Sequence, residues 1–199
     1  MRSSIRRIGA MALGLVFLAG CAPDRNGPTS PLNTPAAAPN ADLLGSVGSL
    51  LAGVLHLVTN VQRTSPLTAP ISVQQMVGAA GGTLRIPQAG VTVEVPAGAL
   101  SSPTLITMTA RAGSAIAYDF APHGITFAKP LVFTQSLSGT NASLLSVPLL
   151  NLGYYPDPSL LGTTTSLVSE LLSGSTNLLT WTFQSHIEHF SGYVLACRE

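Results

Sequence analysis

Between Val77 and Cys197 the chain is cut into short branched or aromatic runs by recurring glycine and proline. The runs are Thr83 to Ile86, Val91 to Val95, Leu105 to Ala110, Ile116 to Phe120, Leu131 to Gln135, Leu149 to Tyr155, Leu178 to Phe183 and Gly192 to Leu195. Proline cannot donate to a strand ladder and glycine weakens strand interiors, so both mark where strands stop. Runs of this length and spacing predict one all-β domain over 77–197, a sandwich or barrel of roughly 120 residues. Val91-Thr92-Val93-Glu94-Val95 alternates strictly and reads as a half-buried strand ended by Pro96 and Gly98. The stretch Leu137 to Leu179 is irregular, broken by Pro156 and Pro158, and Ser166 to Leu172 reads as a helical turn or a loop.

The first twenty residues have a different logic. Arg2, Arg6 and Arg7 form a basic tip, Ile8 to Phe17 an apolar stretch, and small residues then lead to Cys21. This is the architecture of an export signal, too short to span a ~30 Å hydrocarbon core as a permanent helix. Leu18-Ala19-Gly20-Cys21 resembles the lipobox of bacterial lipoproteins, which implies cleavage before Cys21 and a diacylglycerol on its thiol. Each buried acyl methylene contributes ~0.8 kcal/mol, so two or three chains tether stably where one is reversible. Ala22 stands where enteric lipoproteins retained in the inner membrane carry aspartate, which by resemblance implies the outer membrane if the organism has one.

Residues 21–42 are rich in Pro, Ala, Asn, Ser and Thr without apolar period, as expected of a lipidated N-terminus and flexible spacer. Over 43–60, Leu43, Val47, Leu50, Val54 and Leu57 recur at helical spacing, which predicts a short apolar helix or linker too short to span a membrane. Cys197 near the end of the last run reads as a small apolar core residue.

Only 9% of residues are charged. Loss of Arg2, Arg6 and Arg7 with the signal leaves six basic against eight acidic residues. That excludes nucleic acid, whose binding needs a clustered basic surface, and a polybasic membrane patch. No phosphate-binding glycine loop opens a helix, and the carboxylates are scattered, so no cofactor is expected. His186 and Glu188 would share a strand face, but a metal needs a third ligand from elsewhere, and none is expected. His123 reads as an exposed turn residue.

The runs Gly81-Gly82-Thr83-Leu84, Gly90 to Leu100 (G-V-T-V-E-V-P-A-G-A-L) and Ile106-Thr107-Met108-Thr109 resemble the signature of the ZU-five domain. That family is named for a zonula occludens protein and the uncoordinated-five netrin receptors and occurs also in ankyrins. Phe120 to Leu131, with Pro122-His123-Gly124 and Phe127-Ala128-Lys129-Pro130, is similar to the continuation in bacterial members, and His189-Phe190-Ser191-Gly192-Tyr193 to their closing strand. The resemblance covers about Val77 to Ala196 and is weak from Leu137 to Leu179. It implies a single antiparallel β-sandwich with a role in protein interaction. Spectrin binding does not carry over, because the chain has few basic residues.

Some animal members cut themselves within His-Phe-Ser. By that resemblance Ser191 would be the nucleophile, His189 its base and the Phe190 carbonyl the target of an N-to-O acyl shift that water then resolves. The reaction needs a strained peptide bond and a positioned histidine. Trp181, Phe183 and Ile187 share a parity that His189 and Ser191 also share if the strand runs unbroken. The bland alternative is that the aromatic packs and short polar neighbours suit a turn.

The sequence therefore points to a lipid-anchored, extracytoplasmic module of the cell envelope. It is tethered to the membrane through acylated Cys21 and binds an unidentified protein or envelope partner without catalysis. A single self-cleavage between Phe190 and Ser191, and a carbohydrate or ligand site in the envelope, are the alternatives.

Overall fold

The computed structural model describes residues 55–198. The signal over 1–20, Cys21, the spacer over 21–42 and most of the segment read as a helix or linker lie outside the described residues.

The first seven strands are β1 (His56–Asn60), β2 (Gln62–Leu67), β3 (Ile71–Val77), β4 (Gly82–Ile86), β5 (Val91–Val95), β6 (Thr104–Ala110) and β7 (Gly113–Ala115). They are followed by β8 (Ala117–Ala121), β9 (Thr126–Ser136), β10 (Leu150–Tyr155), β11 (Thr165–Val168), β12 (Glu170–Asn177), β13 (Thr182–His189) and β14 (Gly192–Arg198). Every paired ladder is antiparallel, so the all-β antiparallel expectation holds.

Ten strands follow one path, β3-β6-β8-β14-β10-β12-β13-β9-β5-β4. Its two ends, β3 and β4, are consecutive in sequence and meet at a bridge between Gly78 and Gly81, so the sheet nearly closes on itself. β12 makes the corner. Its first half pairs with β10 through Ser173, and from Gly174 onward it pairs with β13. A strand that changes partner in this way joins the two faces of a flattened barrel.

Between the faces lies one core. It takes Val91, Val93 and Val95 from β5, Ile106 and Met108 from β6, Phe133 from β9, Phe183 and Ile187 from β13, and Tyr193 and Leu195 from β14. Alternation explains most of these, since successive side chains leave a strand on opposite faces. β14 is different, being buried at every position from Gly192 to Cys197. β1 pairs with β14 on one edge and β11 on the other. The two cover β14's outer face with a second cluster of Val58, Ala117, Tyr155, Val168, Val194 and Ala196.

Strands therefore begin before the expected start at Val77, and the 43–60 expectation is corrected where it is visible. His56–Asn60 is a strand because ladders on both its edges satisfy the backbone groups that a helix would have to pair internally. Ser166 to Leu172 belongs to β11 and β12 apart from a bend at Ser169 and forms no helical turn. The run Leu178 to Phe183 is mostly the turn before β13.

The glycine and proline signature is a knot of turns. Gly81 sits at φ +78°, and a Cβ there would stand 2.2 Å from the Val95 carbonyl oxygen. The turn between β3 and β4 thus lies directly on the turn that ends β5. The Gly98 N–H donates to the Ala79 carbonyl at 2.8 Å, and Lys129 Nζ donates to the Ala97 carbonyl at 2.7 Å. A buried network closes the other end. Arg63 donates to the Ala115 carbonyl and to Tyr118 Oη, while Gln135 Nε2 donates to the carbonyls of Ala89 and Ser136. Tyr118 Oη bonds Gln135 Oε1, and burial pushes its pKa up to about 12 against the pull of Arg63.

Candidate functional site

Phe190 and Ser191 are the two residues that carry the chain from β13 on one face to β14 on the other. Such a short crossing is held by packing. The Phe190 ring stacks on Phe120 with centroids 5.3 Å apart and meets the edge of Phe127 at 4.7 Å, and its N–H donates to the Ile125 carbonyl. The Ser191 carbonyl accepts the Phe120 N–H at 3.0 Å. Gly192 follows because a Cβ there would stand 2.1 Å from the Tyr155 ring. Tyr155 is fixed in turn. Its hydroxyl donates to Asp119 Oδ1 at 2.9 Å, and Asp119 Oδ2 pairs with Arg111 at 2.7 Å. Burial, reinforced by the Asp119 charge, moves the Tyr155 hydroxyl well above the usual tyrosine range.

The imidazole of His189 is shared between two other strands. Tyr193 Oη donates to the His189 carbonyl at 2.7 Å and lies 3.3 Å from His189 Nδ1. Nε2 faces Glu170 Oε2 at 3.6 Å. The ring's edge contact with Tyr154, at 4.9 Å between centroids, completes the setting. Burial, with the Glu170 charge second, raises the Tyr193 pKa above its ordinary value.

These contacts answer the question of parity. Phe183, Ser185 and Ile187 point inward, but the ladder with β9 shifts register between Ile187 and His189 and β13 ends at His189. The unbroken strand that would carry His189 and Ser191 to one side is absent. No hydrogen bond joins the two residues among the described residues, and the imidazole lies between Tyr193 and Glu170. Among the described residues the one non-glycine with positive φ is Trp181, in the turn before β13, so that form of strain is not at the Phe190–Ser191 bond.

The fold does assemble a shallow cleft of about 410 Å³ around the triplet. His123 and Gly124 come from the turn after β8, Thr126 from β9, Tyr154 and Pro156 from the end of β10, and His189, Phe190 and Ser191 from the crossing. His123 is exposed, in a turn, as the sequence implied. Tyr154, Glu170 and Tyr193 were not singled out by sequence; the Tyr154-Tyr155-Pro156 run at a strand end was the one available signal. His186 and Glu188 are exposed on the opposite face of β13 from Ile187. No group of three or more His, Cys, Asp or Glu side chains among the described residues is placed to hold a metal ion. The cleft presents an aromatic wall, two imidazoles and a hydroxyl.

Residues 73–115 match the family model of the ZU5 domain. The chain carries a ZU5-like domain. The match runs from within β3 to the end of β7 and includes the turns at Gly81, Pro96 and Gly98, so the matched signature is the knot that ties β3, β4 and β5 together. The His189-Phe190-Ser191 triplet lies outside the matched residues. ZU5 domains act in protein interaction, and the match suggests a module of that kind. No curated protein matches the chain.

Proposed function

We propose that the protein is a lipid-tethered, extracytoplasmic interaction module whose ZU5-like domain holds a protein or envelope partner without turnover. The ZU5 match within an all-β fold is the observation that carries this reading. The lipobox-like Leu18-Ala19-Gly20-Cys21 and the segment after it, rich in Pro, Ala, Asn, Ser and Thr, support the tether. The cleft beside Tyr154 and His189 is the docking place favoured by geometry, because it exposes aromatic and imidazole groups on a rigid crossing between two strands.

Cross-linking in intact cells tests the partner, with the full chain carrying a photoreactive residue in place of Thr126. One discrete adduct that is lost in Tyr154→Ala and in His189→Ala, while both variants keep their thermal transition, is expected. An adduct indifferent to both substitutions would move the docking place off the cleft. The mass of the mature chain taken from membranes tests the tether and self-cleavage together. The expected species starts at Cys21, carries acyl mass and ends at Glu199. A peptide of Ser191 to Glu199 that disappears in Ser191→Ala would establish self-cleavage instead, and a Cys21→Ser variant of unchanged acyl content would end the lipoprotein reading.

A further inference from the structure

Two turns at one end of the fold break the usual chemistry of turn tips. Turn centres favour Gly, Pro, Asn, Asp and Ser, yet the central pair is Leu144-Leu145 between Ser143 and Ser146, and Leu178-Leu179 between Asn177 and Thr180. Both turns are built to hold their tips out. In the first, the Ser146 N–H donates to the Ser143 carbonyl at 3.0 Å and Ser146 Oγ accepts the Ser143 N–H at 2.8 Å, with Ser146 fully buried. In the second, Asn177 Oδ1 accepts the N–H groups of Leu179 and Thr180. The four leucines are 69%, 88%, 57% and 97% exposed in chain order.

The two loops share a root. Ser136 pairs with Thr182, and the Leu137 N–H donates to the Trp181 carbonyl at 2.9 Å, so both loops leave the same end of the β9 and β13 ladder. Neither loop holds a charged residue, from Leu137 to Leu150 or from Leu171 to Phe183, and half-buried Trp181 stands at the root of the second. Exposed apolar tips on uncharged loops with an aromatic at the base match the apolar and interfacial layers of a bilayer.

We infer that these two leucine tips insert into the membrane and seat that end of the domain on the bilayer. The inference rests on the tether proposed above, which brings the bilayer within reach. Thirty-four residues, 21–54, separate Cys21 from the described fold. The 22 residues over 21–42, whose composition reads as a spacer, alone correspond to a coil reach of about 23–28 Å, against a domain radius of about 15 Å. Either end of the domain can face the lipid, and the tether turns weak insertion into an intramolecular step at high effective concentration.

The test separates tips from tether by using the full mature chain with Cys21→Ser, which carries no acyl group. Flotation with phosphatidylcholine vesicles is measured for this chain and for the same chain with Leu145→Ser and Leu179→Ser. The expected result is co-flotation that added salt does not weaken, reduced about tenfold or more by the two serines, with thermal unfolding unchanged. Equal flotation of the two chains, or none for either, overturns the inference. So does a dimer of the Cys21→Ser chain that the serines dissociate without any lipid binding, because the tips then meet a second copy. Absence of acyl mass on the wild-type chain from membranes would refute the tether alone and leave the flotation result to decide the tips.

Discussion

A carbonyl oxygen decides what position 81 can be. With φ at +78° and the Val95 oxygen 2.2 Å from any Cβ, Gly81 has no room and no conformational freedom for a side chain. An L-residue there adds left-handed strain to a clash with fixed backbone. Gly81→Ala is therefore expected to cost about 3 kcal/mol or more. Gly78, at the other side of the same bridge, has nothing within 4 Å of its Cβ, so Gly78→Ala should stay within about 1 kcal/mol of wild type. Urea unfolding of the pair checks this, and equal losses would show that the turns are not pressed together. This residue was legible in the sequence because a glycine signature reports backbone geometry directly. The orientation of His189 was not, because Tyr193 and Glu170, which take its two nitrogens, reach it from β14 and β12.

At the scale of elements, β14 shows how a strand becomes apolar on both faces. Tyr193, Leu195 and Cys197 enter the main core, while Val194 and Ala196 meet β1 and β11 from outside. Val58 is the centre of that outer contact and is fully buried. Val58→Lys places an ammonium in that apolar cluster beside Arg198, its partner across the ladder, at a cost of several kcal/mol unless β1 leaves the sheet. The expected outcome is release of β1 and β11, seen as faster hydrogen exchange at Leu57 to Asn60 and Thr165 to Val168 while β5 and β9 stay protected. Uniform loss of protection would mean that the outer layer is inseparable from the core. Legibility follows the same physics. β5 was plain because one face is buried and the other wet. β3 alternates covered and exposed positions but puts Gln75 on the covered side and Met76 on the exposed one, and β12 turns a corner between two partners, so neither shows a clean alternation of apolar and polar residues. The prefix of β1 obscured it further, since the apolar spacing upstream reads as helical.

For the whole molecule, titration is governed by tyrosines. The chain has a single lysine, Lys129, whereas Tyr118, Tyr155 and Tyr193 are buried and all have pKa values raised by that burial, Tyr118 to about 12. The unfolded chain releases these protons near pH 10 and the folded chain retains them. Above pH 10 the unfolded state thus binds fewer protons, and stability must fall as pH rises. The stabilising contribution is complete below pH 10 and is lost progressively above it, up to about pH 12 for Tyr118 and further for Tyr155 and Tyr193. With three such groups the slope approaches about 4 kcal/mol per pH unit at its steepest. Tyr118→Phe should remove about a third of that slope, because one of the three protons no longer differs between the states. It should also lower stability at neutral pH by about 1–3 kcal/mol, since Gln135 Oε1 and the Arg63 guanidinium lose their shared oxygen inside the core. Denaturant curves at pH 9 and pH 11 for both proteins separate the two effects. A wild-type stability that is flat across the interval, or a slope unchanged in Tyr118→Phe, would show that the buried hydroxyls open to solvent before the fold does.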